Sequence, residues 1–304
     1  MKRAIVTGPT GAIGVALIQT LIEQNVEVLA VVRKGSKRIS NIPQSEYVRI
    51  VEFDLSELNK LPETEKDTYD VFYHLGWDGT FGDSRNNMQG QIQNIQYALN
   101  AVECAFKMGC KRFLGAGSQA EYGRVEGKIS ASTPTFPENG YGIAKLCAGQ
   151  MTRILCEQRG MEHVWVRILS IYGPYDGENT MVMSTINKLL KRERPTFTKG
   201  EQMWDYLYSK DAGRAMYLVG KKGMHGKVYC LGSGVVRPLR EYIEDIQNHI
   251  SPKLELEFGE VPYAPNQVMY LCADISELTK DTGFEPRYDF LTGIKETTAW
   301  CKMR

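Results

Sequence analysis

No apolar run in the 304 residues approaches the length needed to cross a bilayer. The chain does begin basic and then apolar, Met1-Lys2-Arg3-Ala4-Ile5-Val6. That stretch is too short for the core of a signal peptide and runs straight into a glycine motif, so it reads as a first buried strand. Surplus charge is also lacking. Thirty-seven basic against 36 acidic side chains leave a net charge of +1, too little for bulk binding of nucleic acid through its phosphates. Seven cysteines occur, at 104, 110, 147, 156, 230, 272 and 301, without a C-x-x-C pair. Their odd number and spacing fit neither a disulfide framework nor a zinc site. They read as reduced thiols of a cytoplasmic, metal-free protein that does not associate with membranes. Internal repeats and low-complexity segments are missing as well.

What is present is a globular composition, 42% hydrophobic and 24% charged, in a chain long enough for more than one core. The first half alternates strand patterns (Arg3–Thr7, Glu27–Val32, Val48–Phe53, Val71–Leu75, Arg112–Gly115, His163–Ile168) with helical ones, notably Ile13–Gln24, Gln91–Lys107 and Tyr141–Arg159. That alternation predicts an α/β fold, a doubly wound parallel Rossmann sheet covered on both faces. After about Ser170 the texture changes. Helices are expected at Met181–Lys191 and Arg237–Ile250 and a strand at Leu254–Phe258. The reading is a dinucleotide-binding domain over 1–170, rejoined by about 209–232, and a smaller α+β substrate lobe over 171–304.

Gly8-Pro9-Thr10-Gly11-Ala12-Ile13-Gly14 follows the first strand and opens the first helix. Gly8 suits a sharp turn, Gly11 lets backbone approach a pyrophosphate, and Gly14 lets the helix pack against the strand. The helix N-terminus offers Thr10, Ala12 and Ile13 backbone to the phosphates. NAD-binding versions of this motif usually carry Asp or Glu at the end of the second strand, to hold the ribose 2′-hydroxyl. Here Arg33-Lys34-Gly35-Ser36-Lys37-Arg38 stands there, without a carboxylate. Arg33 can fork onto a 2′-phosphate or stack on adenine, with Ser36, Lys37 and Arg38 adding donors, so NADP (as NADPH) is expected rather than NAD. Asp54 and Leu55 end the third strand near the adenine position. Leu75, Gly76 and Trp77 end the fourth, beside the ribose. His74 is read as structural.

Tyr141 and Lys145 are four residues apart, which on a helix puts them on one face. Carbonyl reduction needs a hydride and a proton at opposite ends of one C=O bond. A phenol titrating near pH 10 is a poor base at neutrality, and a nearby ammonium is expected to favour its ionised form. Tyr141 then donates or accepts the proton, Lys145 tunes it and holds the ribose, and Ser118 bonds the reacting oxygen.

Thr7 to Gly14, Asp54-Leu55, Ser118 to Gly123, Tyr141 to Lys145, Ile171-Tyr172-Gly173-Pro174, and Asp205-Tyr206-Leu207-Tyr208 with Asp211 occur in family order over nearly the whole chain. Together they resemble the extended short-chain dehydrogenase/reductase superfamily, in its NAD(P)-dependent nucleotide-sugar epimerase, dehydratase and reductase branch. The resemblance implies a cofactor on the N-terminal sheet and a nucleotide-sugar in the cleft. It also implies a homodimer in which Gln91–Lys107 and Tyr141–Arg159 form a four-helix bundle. Ser118, Gln119, Ser170, Tyr172 and Trp204 fall at its substrate positions. Family dehydratases follow the catalytic hydroxyl with Asp-Glu, where this chain has Gln119-Ala120, so dehydration is not expected. Glu121 is given no role. Ser170 replaces a frequent Asn. Trp204 replaces a frequent Arg and suits either stacking on a base or packing. Arg192 and Arg194 either replace the lost charge or end a solvated helix. The expected reaction is NADPH-driven reduction of a 4-keto-hexose nucleotide to a deoxyhexose nucleotide in carbohydrate biosynthesis. The alternative is an NAD-dependent nucleotide-sugar 4-epimerase. A sensor on this fold tends to lack the Tyr or Lys, and both are here; small ketones remain a further substrate class.

Overall fold

A computed structural model describes residues 1–304. Its strands and helices follow in the order β1 (Arg3–Thr7), α1 (Ala12–Glu23), β2 (Glu27–Val32), β3 (Val48–Glu52), α2 (Leu61–Thr64), β4 (Val71–His74), α3 (Met88–Lys107), β5 (Arg112–Ser118), α4 (Gly140–Gln158) and β6 (Glu162–Ile168). The remainder is β7 (Ser170–Tyr172), α5 (Met181–Leu190), β8 (Met203–Trp204), β9 (Tyr206–Tyr208), α6 (Ser209–Lys222), β10 (Val228–Leu231), β11 (Arg237–Pro238), α7 (Leu239–Ile250), β12 (Tyr270–Leu271), α8 (Ser276–Thr282) and α9 (Phe290–Lys302). No helix is long and apolar enough to cross a membrane.

The seven-stranded sheet is parallel throughout, in the order β10-β6-β5-β4-β1-β2-β3. Parallel strands covered on both faces need unbroken apolar runs. Accordingly β1, β2, β4, β5 and β6 are buried almost end to end, while β3, at the edge, is half exposed. Leu17, Ile18 and Leu21 of α1 join Ala212, Ala215, Met216 and Val219 of α6 over one face. On the other, Ala101, Val102 and Ala105 of α3 and Cys156 of α4 meet Ile5, Leu29, Phe72 and Phe113. Strand order reverses between β1 and β4, so their C-terminal ends flank a crevice, the usual ligand position in such sheets.

Helices α3 and α4 begin at asparagine caps rather than where the apolar periodicity starts. Asn87 accepts the Gly90 N–H at 3.2 Å and Asn139 the Gly142 N–H at 2.9 Å. Beyond β6, the pair β7–β9 and the three-stranded β11-β8-β12 lie beside an aromatic cluster of Tyr172, Tyr208, Tyr242 and Phe290, walled by α5, α7 and α9. Helix α6 and strand β10 return to the main sheet. The strand expected at Leu254–Phe258 does not form: that segment is irregular and makes one bridge, Phe197 to Phe258.

Candidate active site

The tips of β1 and β4 are tied together. The Gly76 N–H donates to Thr7 Oγ1 at 3.2 Å, and Thr7 Oγ1 lies 3.1 Å from His74 Nδ1. Burial drives His74 down to about 3, so it stays neutral and structural. Gly8 turns with φ +68°, and a Cβ there would lie 2.7 Å from Gly76 N. Helix α1 then begins at Gly11 without a side-chain cap, and the space around Gly11 is open. Unpaired N–H groups at such a terminus suit a phosphate.

Two adjoining cavities share Gly8 and Trp77. The first, about 480 Å³, is lined by Gly8, Thr10, Arg33, Ser36, Arg38, Asp54, Leu55, Gly76 and Trp77 among others. The second, about 320 Å³, takes in Gly11, Ala12, Ile13, Gly14, Leu75, Ser118, Tyr141 and Lys145. An open helix terminus, a glycine cradle and two joined cavities fit an extended dinucleotide. Lys37 falls outside both, lining a neighbouring groove with Tyr175 and Arg304. Arg38 bridges the cleft, donating to Thr10 O at 3.1 Å and Tyr175 O at 3.0 Å. Although β2 ends without a carboxylate, the end of β3 and the residues just after it bring two. Glu52 accepts the Gly35 N–H at 3.0 Å and Asp54 the Lys34 N–H at 3.2 Å.

Ser118 ends β5, and Tyr141 and Lys145 sit on the first turns of α4. Lys145 Nζ donates to Ala116 O at 2.7 Å and lies 3.8 Å from the centroid of the Trp77 ring. Burial lowers its pKa to about 7, with Glu121 opposing. The Tyr141 ring meets Trp77 edge-on at 6.2 Å between centroids. Trp77 is fixed in turn by its Nε1–H to Gln91 Oε1 at 3.0 Å. Burial pushes the Tyr141 phenol up; the Ser118 hydroxyl and the Arg85 guanidinium draw it back, and Glu121 adds to the rise. This differs from the expectation of a phenol pulled down by Lys145. The ammonium is committed to a carbonyl and an indole.

Glu121, passed over in the sequence, is fully buried. Its carboxylate accepts from Ser118 N at 2.8 Å, Trp165 Nε1 at 3.0 Å and Arg167 Nε at 2.6 Å. It therefore fixes the backbone that carries the Ser118 hydroxyl. The signal for it was the carboxylate three residues after Ser118, a capping-box spacing.

Other expected substrate positions lie apart. Tyr172 is buried in the aromatic cluster and donates to Phe290 O at 3.0 Å, so its hydroxyl is not free for a ligand. Trp204 Nε1 donates to Ser170 Oγ at 2.8 Å, and the indole packs between two apolar clusters. Gln119 sits half-buried in a 3-10 turn outside the lining of both cavities. Arg194 pairs with Glu257 at 2.5 Å and Glu260 at 2.6 Å, Arg192 is exposed after α5, and neither lines either cavity. The cavity wall that lies outside the motifs includes Thr80, Phe81, Ile168, Leu169 and Asp176.

Residues 4–232 match the model of the NAD dependent epimerase/dehydratase family. A putative UDP-glucose 4-epimerase of Methanocaldococcus jannaschii is 25% identical over 98% of both chains. Among solved structures, a UDP-N-acetylglucosamine 4-epimerase from Methanobrevibacter ruminantium M1, in complex with UDP-N-acetylmuramic acid, superposes with a TM-score of 0.89 at 23% identity, covering 99% of this chain and 98% of that one. DesIV, a dTDP-glucose 4,6-dehydratase from Streptomyces venezuelae with NAD bound, gives 0.87 at 20% identity, covering 99% and 97%.

Proposed function

The chain belongs to the NAD dependent epimerase/dehydratase family, and from that premise we propose that it reduces a nucleotide-linked 4-keto-hexose to a deoxyhexose nucleotide, using NADPH. The observation that carries the reading is one cavity lined by Ser118, Tyr141 and Lys145 together with the uncapped start of α1. A bound nicotinamide dinucleotide supplies the hydride. Tyr141 gives the proton to the sugar oxygen, Ser118 holds that oxygen, and Lys145 binds ribose and replenishes charge beside the phenol. Gln119 and Ala120 have no ionisable group with which to remove a proton or expel water, which argues against dehydration. The NADP preference rests on Arg33, Ser36 and Arg38 lining the adenosine end of the cleft. The exposed Ile92 of α3 and Ile143 and Ile154 of α4 suit a homodimer built on these two helices. Light scattering should then give twice the 34.3 kDa chain mass; a monomer at working concentration would refute it.

A 4-epimerase holding NAD is the second reading. Asp54 at the adenosine end and the NAD bound in DesIV favour it. The experiment offers CDP-, GDP-, UDP- and dTDP-linked 4-keto-hexoses with NADPH. NADPH consumption matched by a reduced sugar is expected. Protein that keeps NAD through dialysis and interconverts 4-epimers without added cofactor overturns the reductase reading. In the same assay Arg33→Asp should shift the NADP-to-NAD ratio of kcat/KM by roughly tenfold or more, the scale of one charge-assisted hydrogen bond. An unchanged ratio would remove Arg33 from cofactor choice.

A further inference from the structure

The face of the Tyr141 ring is covered from a segment outside every motif named above. Residues Gly82–Asn86 form a 3-10 turn. It is moored to the start of α4, because the Gly140 N–H donates to Asn86 Oδ1 at 3.0 Å. The approach is close: a Cβ on Gly140 would lie 3.0 Å from the Arg85 carbonyl oxygen and 2.8 Å from Met88 Sδ. The turn thereby lays the Arg85 guanidinium on the Tyr141 ring, 4.8 Å from its centroid, with no carboxylate partner of its own.

Three charged groups face this phenol. Lys145, from the same helix, is 5.8 Å from the ring centroid but is engaged by Ala116 O and Trp77. Glu121, from the turn after β5, is balanced by Arg167. Arg85 is the one whose charge is not otherwise answered. A cation over an aromatic face is attracted to its π-electrons, and the attraction grows when the ring carries the negative charge of a phenolate.

We propose that Arg85 is a positioning residue for the reaction above: its guanidinium, laid on the Tyr141 ring, is a second cation beside Lys145 that favours the phenolate and holds the ring in line with Ser118. The inference rests on Tyr141 being the group that exchanges the proton. It assigns the 82–86 turn a part in tuning the acid.

The test needs no substrate. Tyrosinate absorbance is titrated in the purified protein and in Arg85→Met and Arg85→Lys, each against its counterpart also carrying Tyr141→Phe, so that the difference isolates one phenol. Arg85→Met should move the Tyr141 step upward by about one pH unit, on the order of tenfold less phenolate at a fixed pH on the slope. Arg85→Lys, which keeps the charge, should move it less. The proposal falls if Arg85→Met titrates like the unsubstituted protein, or if Met and Lys displace the step equally, since packing alone would then account for the change. Arg85 is half-buried on a surface turn, so near-ultraviolet circular dichroism should be unchanged in both variants. Failure of the oxidoreductase reading shows elsewhere, as undiminished turnover in Tyr141→Phe whatever Arg85 does.

Discussion

Tyr141→Phe should lower turnover by roughly a hundredfold or more, the scale of a lost general acid, while leaving cofactor affinity nearly unchanged. The substitution removes one oxygen and keeps the ring. Phenylalanine can still meet Trp77 edge-on and lie beneath Arg85, so the packing that places α4 against the cleft survives. What disappears is the proton, and with it the hydroxyl that faces Ser118. Neither the glycine turn nor the Arg33 loop touches that oxygen, so calorimetric titration with cofactor should give a dissociation constant within a few-fold of the parent. The pH profile adds a sign. Burial raises the phenol, so before cofactor binds Tyr141 is protonated at neutral pH, the form needed to donate a proton. Reduction should therefore hold its rate as pH falls toward neutrality, and sugar oxidation should gain as pH rises. Turnover in Tyr141→Phe near that of the parent would take Tyr141 out of the chemistry.

The sheet was legible because parallel strands buried on both faces must be apolar without interruption. β1 and β2 begin and end where that pattern does. β5 runs on to Ser118, past the expected Gly115, because Gly117 and Gly115 leave room for the Trp165 indole of the neighbouring strand; a glycine run reads as loop in one dimension. The second half was less legible for a different reason. Strands β8, β11 and β12 have two residues each and are held by partners more than thirty positions away, too short to show any period. The site divided along the same line. Ser118, Tyr141 and Lys145 are spaced by one helix and one strand end, and they line one cavity. Glu121 and Arg85 act through contacts that cross elements, Glu121 to Arg167 on β6 and Arg85 to Tyr141 on α4, and local spacing carries little of that. Tyr172 and Trp204 went the other way. Tyr172 was expected at a ligand and Trp204 either at a ligand or in packing; in the fold their polar atoms are satisfied by Phe290 and Ser170.

Gly14→Ala should damage fold and cofactor site together, and Gly11→Ala should separate them. A methyl on Gly14 would run into the Gly8 carbonyl oxygen and lie 2.8 Å from Pro9 Cα and carbonyl carbon. All of these are backbone atoms, with no flexible side chain to swing aside. Nor can the turn retreat, since Gly8 is itself pressed toward Gly76 at the end of β4 and pinned at φ +68°. Helix α1 must lift from the strand end, which drags Leu17, Ile18 and Leu21 out of register with α6. Overpacking of this kind costs about 1–3 kcal/mol, a fall in Tm of several degrees at roughly 2–4 °C per kcal/mol. The same lift misaims the N–H groups of the first helical turn, so cofactor affinity falls with it. Gly11 has extended backbone (φ −90°) and nothing within 4 Å of a built Cβ, so alanine there should leave Tm unchanged. Any loss of cofactor affinity in Gly11→Ala then reports contact with the dinucleotide alone, because the fold around it has not moved. Calorimetry on the two variants measures both quantities. A parental Tm in Gly14→Ala would mean that the turn yields more readily than its packed backbone implies, and the helix terminus would lose its claim to be a rigid phosphate cradle.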